Sequence, residues 1–184
     1  MLYHSSPTPN IKVLTPRPST HGKPYVYAID NIVTSLLFGV KNDDFDFDIS
    51  TDDDGKPIIT ECYPNAMETI YSGKSCSVYE LPDDGFLRGM TGWEAELVSE
   101  SEVLVAAEIT VPDVLERLLF EEKQGNLEIR RYSAEIEPEI IDHITDRLKR
   151  FSVNITQFIE SDQRFQRYTS AVRTAIERAQ YGDE

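Results

Sequence analysis

The sequence predicts a mixed α+β fold, and three observations carry that expectation. Short β-branched and aromatic segments recur through residues 1–132. Turn-forming clusters of Gly, Pro, Asp and Ser separate them, and several intervening stretches space apolar residues at helical intervals instead. Runs of short strands with helices among them argue for a mixed α+β domain ending near residue 133. Residues 134–184 then follow as a helical extension. The chain's 184 residues suffice for a real core plus such an appendage.

LYHS (2–5) reads as a first strand, closed by the turn-rich SSPTPN. A short apolar piece around Ile11–Leu14 leads into the proline-punctuated loop TPRPSTHGKP (15–24). YVYAI (25–29) is a strand, and Asp30 stands where an N-cap belongs, ahead of Val33, Leu36, Leu37 and Val40 at helical spacing. Residues 43–62 predict a hairpin, with Phe45, Phe47 and Ile49 alternating against Asp44, Asp46 and Asp48. These aspartates suggest a calcium loop only superficially. The sixth position is Ile49 rather than Gly and the twelfth is Gly55 rather than Glu, so a solvated acidic face is the expectation.

A short helix is predicted over 64–71 and a strand over 76–81. The segment 96–109 predicts one strand or a pair. Residues 111–125 predict a helix with Pro112 near its first turn and Gly125 closing it, and 126–132 a last strand. Beyond, Ile141, Ile144, Leu148, Phe151, Ile155 and Phe158 form a helical stripe. A second pattern carries Phe165, Tyr168, Val172, Ala175 and Ala179, which leaves one rod and a hairpin both open. Such stripes pack against the domain or against a second copy of the chain, making homo-oligomer formation through the C-terminal helices an expectation.

Lys and Arg total 18 against 33 Asp and Glu, a net charge of −15. Residues 137–184 hold 7 basic and 9 acidic residues, leaving 11 and 24 for residues 1–136. So anionic a surface argues against broad nucleic-acid binding and anionic membranes. The N-terminal segment lacks a signal-peptide pattern, and no stretch approaches the roughly 20 apolar residues of a membrane span. Cys62 and Cys76 read as reduced, buried thiols of a cytoplasmic protein. His4, His21 and His143 are scattered, so no metal is expected.

SESEVLVAAEI (99–109) places Glu100 and Glu102 one residue apart before an apolar run. On a strand both would share a face, and like charges there repel unless solvated or used. Taken with LYHSS and YVYAID, this segment resembles the three signature strands of the ADP-ribosyltransferase superfamily, in its histidine–tyrosine–glutamate branch. His4 matches the histidine of the first signature, with Ser5 where that family has Gly. Tyr27 matches the tyrosine on the strand after the Gly22-Lys23-Pro24 loop, with Tyr25 a second candidate on the same face. Glu102 matches the glutamate before the third strand, with Glu100 as the earlier acid.

The resemblance spans about residues 1–132 and implies a split antiparallel β core. It also implies that NAD is the substrate, with ADP-ribose passed to a protein, nucleotide or small-molecule acceptor. In that reading Glu102 contacts the ribose 2′-OH, because cleaving the nicotinamide–ribose bond builds positive charge on the sugar. His4 hydrogen-bonds the adenosine ribose, the Ser5 backbone holds the carboxamide, Tyr27 stacks on nicotinamide and Glu100 orients the acceptor. The Cβ of Ser5 is a departure, since Gly permits closer backbone approach.

Duller readings stand beside these. His4 fits a hydrogen-bonded strand histidine, the tyrosines fit core packing, and the glutamates fit an acidic edge with Glu94, Glu96 and Glu108. Trp93 fits a lid or a plug. A non-catalytic module of the same fold, binding a protein partner, is the alternative function. RNA 2′-phosphotransfer ranks lower, because only Arg17 and Arg88 lie in loops of the first hundred residues.

Overall fold

The computed structural model describes residues 1–18, 23–43, 45–150, 162–164 and 166–181. Its elements run β1 (Leu2–Ser6), β2 (Val13–Leu14), β3 (Val26–Ile29), α1 (Ile32–Leu36), β4 (Phe47–Thr51), β5 (Pro57–Glu61), α2 (Ala66–Tyr71) and β6 (Cys76–Leu81). They continue with β7 (Leu87–Arg88), β8 (Glu96–Ser99), β9 (Val103–Leu104), β10 (Ala107–Val111), α3 (Val114–Lys123), β11 (Glu128–Arg130), α4 (Glu137–Arg150) and α5 (Thr169–Tyr181). The protein is α+β, and of the named strand pairs only β5–β11 is parallel. None of the described helices is long and apolar enough to cross a membrane.

The contacts divide the chain into two compact units, Met1–Asn42 with Met67–Leu127 and Asp43–Ala66 with Glu128–Glu184. This division does not coincide with a boundary at residue 133. The hairpin of residues 43–62 belongs with the C-terminal segment, because β5 pairs with β11, His143 pairs with Asp48 and the Tyr168 hydroxyl donates to the Cys62 carbonyl, and local sequence carries no sign of so distant a pairing.

The first unit is built on a six-stranded sheet in the order β10-β6-β1-β3-β8-β7, beside a β2–β9 ribbon. Strand alternation gives the sheet two distinct faces. Leu2, Val26, Ala28, Tyr79, Leu81 and Leu97 form a buried cluster with Leu14 and Val103 of the ribbon. Helix α1 contacts β1, β3 and β6, and the buried Ser5 hydroxyl meets that of Ser35 on α1 at 2.7 Å, which puts α1 on the opposite face. The N-cap of α1 is Asn31 rather than Asp30. Its carboxamide oxygen accepts from the Val33 and Thr34 N–H groups, while Asp30 pairs with Arg88 at 2.7 Å. Helix α3 is capped by Asp113, with Pro112 just before the cap. Gly39 is needed for close approach, since a Cβ there would lie 2.5 Å from Cys76 Sγ.

In the second unit β4, β5 and β11 form a three-stranded sheet. Among the hairpin aspartates, Asp46 departs from the expected solvated face. Asp46 is only 2% exposed. It accepts from the Tyr63 hydroxyl at 2.8 Å and from the Asp43 N–H at 2.8 Å, and it contacts the Arg164 guanidinium. A buried carboxylate survives when paired and hydrogen-bonded in this way. Asp48 pairs with His143 at 3.1 Å, which holds its carboxyl below the usual range. Asp44 lies outside the described residues.

Helices α4 and α5 contact each other, which makes them two helices rather than one rod. Ile140, Ile144 and Leu148 are buried, so the stripe is seated one residue earlier than a start at Ile141 implies. Phe151, Ile155, Phe158 and Phe165 lie outside the described residues. Both cysteines are free and buried, and burial pushes the Cys76 thiol up to about 11.

Leu148 is 1% exposed. Leu148→Ala is expected to cost about 2–5 kcal/mol in urea unfolding, and Leu148→Asp more, since it buries a charge without a partner. Unchanged unfolding midpoints would show that this side chain is not part of a core.

Candidate functional site

The strands carrying the histidine and the tyrosines are neighbours joined at one point. β1 pairs with all five of its residues against β6, and β3 with all four of its residues against β8. Between β1 and β3 there is a single pair, Tyr3 with Ile29. The sheet is therefore two well-paired halves that part beyond that pair.

Backbone parity shows what faces the opening. The His4 imidazole approaches the Tyr27 carbonyl oxygen at 2.9 Å, so that carbonyl points toward β1. Ile29, two residues on, points its polar groups the same way, and its partner Tyr3 points back. By the same alternation the Ser5 N–H and C=O aim into the opening. The Ser5 side chain is directed out of the sheet plane to Ser35, so its Cβ does not block the approach. One donor and one acceptor side by side match a primary carboxamide.

His4 is largely buried, and its ring is stacked near Tyr79, centroids 6.5 Å apart. A carbonyl can only accept, so Nδ1 carries the proton. Burial is the main cause that lowers the imidazole below its ordinary 6.5, and Arg17's charge adds to it; the Tyr27 carbonyl works in the opposite sense. His4 is therefore neutral near pH 7, with Nε2 left as an acceptor suited to a hydroxyl.

Tyr27 and Tyr25 lie on the other face, their rings edge-on with centroids 6.0 Å apart. Lys23 Nζ lies 5.6 Å from the centre of the Tyr25 ring and pairs with Glu100 at 2.6 Å. The sites expected from sequence thus fall into three places. His4 and Tyr27 meet through a carbonyl, with their rings on opposite faces. Tyr25, Tyr27 and Glu100 gather on the α1 face. Glu102 is exposed and makes no hydrogen bond or ion pair among the described residues.

Neither glutamate lies on a strand, which corrects the expectation of a shared strand face. β8 ends at Ser99, whose hydroxyl accepts from the Ser101 N–H at 3.2 Å, and β9 begins only at Val103. A Ser-x-Ser sequence favours such a local turn over continued extension. His21 and Gly22 of the preceding loop lie outside the described residues.

Some neighbours of the opening had no sequence signal. Ser35 is an ordinary helix residue until its hydroxyl meets Ser5. Glu108 stands in register with Tyr79, which stands in register with His4. Its carboxylate accepts from the Asn10 N–H at 2.9 Å and the Ser77 hydroxyl at 2.7 Å, which hold it below the usual range. Tyr79 donates to the Thr8 carbonyl at 2.6 Å. Together these groups fold the loop after β1 back over the His4 face. Phe38 and Trp93 pack with ring centroids 5.8 Å apart, so Trp93 rests on the end of α1.

Among the described residues no three His, Cys, Asp or Glu side chains converge as a metal site would require. The chain matches no family model, no curated protein and no solved structure.

The folded state holds His4 neutral, so protonation favours unfolding. The stability this contributes is present above pH 6.5 and is lost as pH falls below it. Urea midpoints measured from about pH 7 to about pH 5 should therefore drop more steeply for the native chain than for His4→Gln, which keeps a donor to the Tyr27 carbonyl. Parallel slopes would show that His4 titrates freely.

Proposed function

We propose that the protein is an ADP-ribosyltransferase-like enzyme that binds NAD, cleaves the nicotinamide–ribose bond and passes ADP-ribose to an acceptor. The observation that supports this best is the opening between β1 and β3. There the Ser5 peptide groups, the neutral His4 imidazole and the Tyr25–Tyr27 pair border one gap. An elongated dinucleotide threaded through a parted sheet reaches groups on both faces, so the opposite placement of the two rings is compatible with a single ligand.

In this reading Ser5 holds the carboxamide through its backbone, and Tyr27 stacks on the nicotinamide ring. His4 Nε2 accepts from a ribose hydroxyl. Glu102, in the turn after β8, supplies the carboxylate that stabilises charge developing on the ribose. The leaving nicotinamide takes the bonding pair, and the acceptor's nucleophilic atom forms the new bond to the ribose C1′. Glu100 acts on the acceptor once Lys23 releases it.

NAD held a hundredfold above its Kd should stabilise the chain by about 2.7 kcal/mol, which is roughly 5–10 °C in Tm at this size. Glu102→Ala should abolish nicotinamide release while leaving Tm without ligand unchanged. No Tm shift at millimolar NAD together with no nicotinamide released would overturn the proposal. Binding without release in the native chain would favour a non-catalytic module that retains the ligand site.

A further inference from the structure

We infer that Arg17 anchors the phosphate groups of the ligand held at the opening between β1 and β3. This rests on the reading above, in which that ligand is a dinucleotide, and adds a positioning residue the resemblance does not supply.

Three observations converge on Arg17. Its backbone is fixed at the start of the tyrosine strand, because the Arg17 N–H donates to the Tyr25 carbonyl at 3.0 Å and the Tyr25 N–H to the Arg17 carbonyl at 3.2 Å. Its side chain is exposed, and pairing with Tyr25 sets the residue along the same edge of the tyrosine strand from which the Tyr27 carbonyl meets His4; its charge is one of the causes that lower the imidazole. And it is without a carboxylate partner among the described residues. In the same unit Arg88 pairs with Asp30 at 2.7 Å and Arg117 with Glu121 at 2.7 Å. With 33 acidic residues in the chain, an arginine left unpaired beside a polar gap is poised for an anion from outside.

The chemistry suits a pyrophosphate. A guanidinium offers two parallel donors to phosphate oxygens and stays charged at all relevant pH. The surrounding acidity repels anions, so one cation at the gap becomes the feature that admits a phosphorylated ligand. His4 then faces sugar hydroxyls and Arg17 the adjoining phosphates.

The test compares two ligands that carry a pyrophosphate with one that carries no phosphate. Titration calorimetry with NAD, ADP-ribose and nicotinamide riboside is run on the native chain, Arg17→Ala and Arg17→Lys. Arg17→Ala should weaken ADP-ribose and NAD about tenfold or more while leaving nicotinamide riboside unchanged. Arg17→Lys should recover part of the loss, because it restores charge without the fork. Native-like ADP-ribose affinity in Arg17→Ala would overturn the anchor and leave the NAD reading standing. Equal weakening of all three ligands would also overturn it, showing a structural effect. A native chain that binds none of them sinks both proposals.

Discussion

Within the first unit, a single backbone pair between Tyr3 and Ile29 holds two halves of a sheet together. On either side of it the ladders are complete, β1 with β6 and β3 with β8. A parted ladder leaves peptide groups turned to a gap, and buried peptide groups must find partners. The protein meets that need along β3 in two ways. The His4 side chain takes the place of a strand at the Tyr27 carbonyl, and the Arg17 backbone pairs with that of Tyr25. The imidazole is neutral for the same reason that it is useful there: burial disfavours its charge, and its outer nitrogen is left to accept. The structural role of His4 and its proposed ligand role thus use different ring atoms.

The acid excess is less of a surface property than a net charge of −15 implies. Asp46, Glu61 and Glu121 are all buried. Each is met by donors: Asp46 by Tyr63 and Arg164, Glu61 by the Tyr132 N–H at 3.0 Å, Glu121 by Arg117 and Asn126. Removing one partner from such a group exposes the cost of the other, typically several kcal/mol. Asp46 and Glu61 act as anchors between segments far apart in sequence, Glu121 ties the end of α3 locally, and Glu100 and Glu102 remain at the surface.

Local pattern exposed most of the elements and little of their partnership. The strands at 2–5, 25–29 and 76–81 were legible because β-branched and aromatic residues there are bounded by turn formers. Helix caps were harder: Asp30 and Asn31 both suit an N-cap, and only the pull of Arg88 on Asp30 decides between them. Asp46 departs from the solvated face expected of the hairpin because alternation gives the face but not what covers it, and Arg164 lies 118 residues from Asp46. Glu100 and Glu102 looked like strand residues because Ser99 and Ser101 signal a turn only weakly. At the opening, His4 and the tyrosines stood out by type. Ser35, Arg17 and Glu108 did not, since their roles come from register and from what is missing around them.

The second unit is stitched from stretches more than sixty positions apart. Its β5 aligns beside β11 only after the entire β6–α3 stretch has been made, and Asp46 waits still longer for its guanidinium. Emerging from a ribosome, the hairpin must therefore remain without its permanent neighbours while the segment after it folds. Cutting the chain at residue 133 would strand buried aromatic and acidic side chains instead of releasing a tidy fragment.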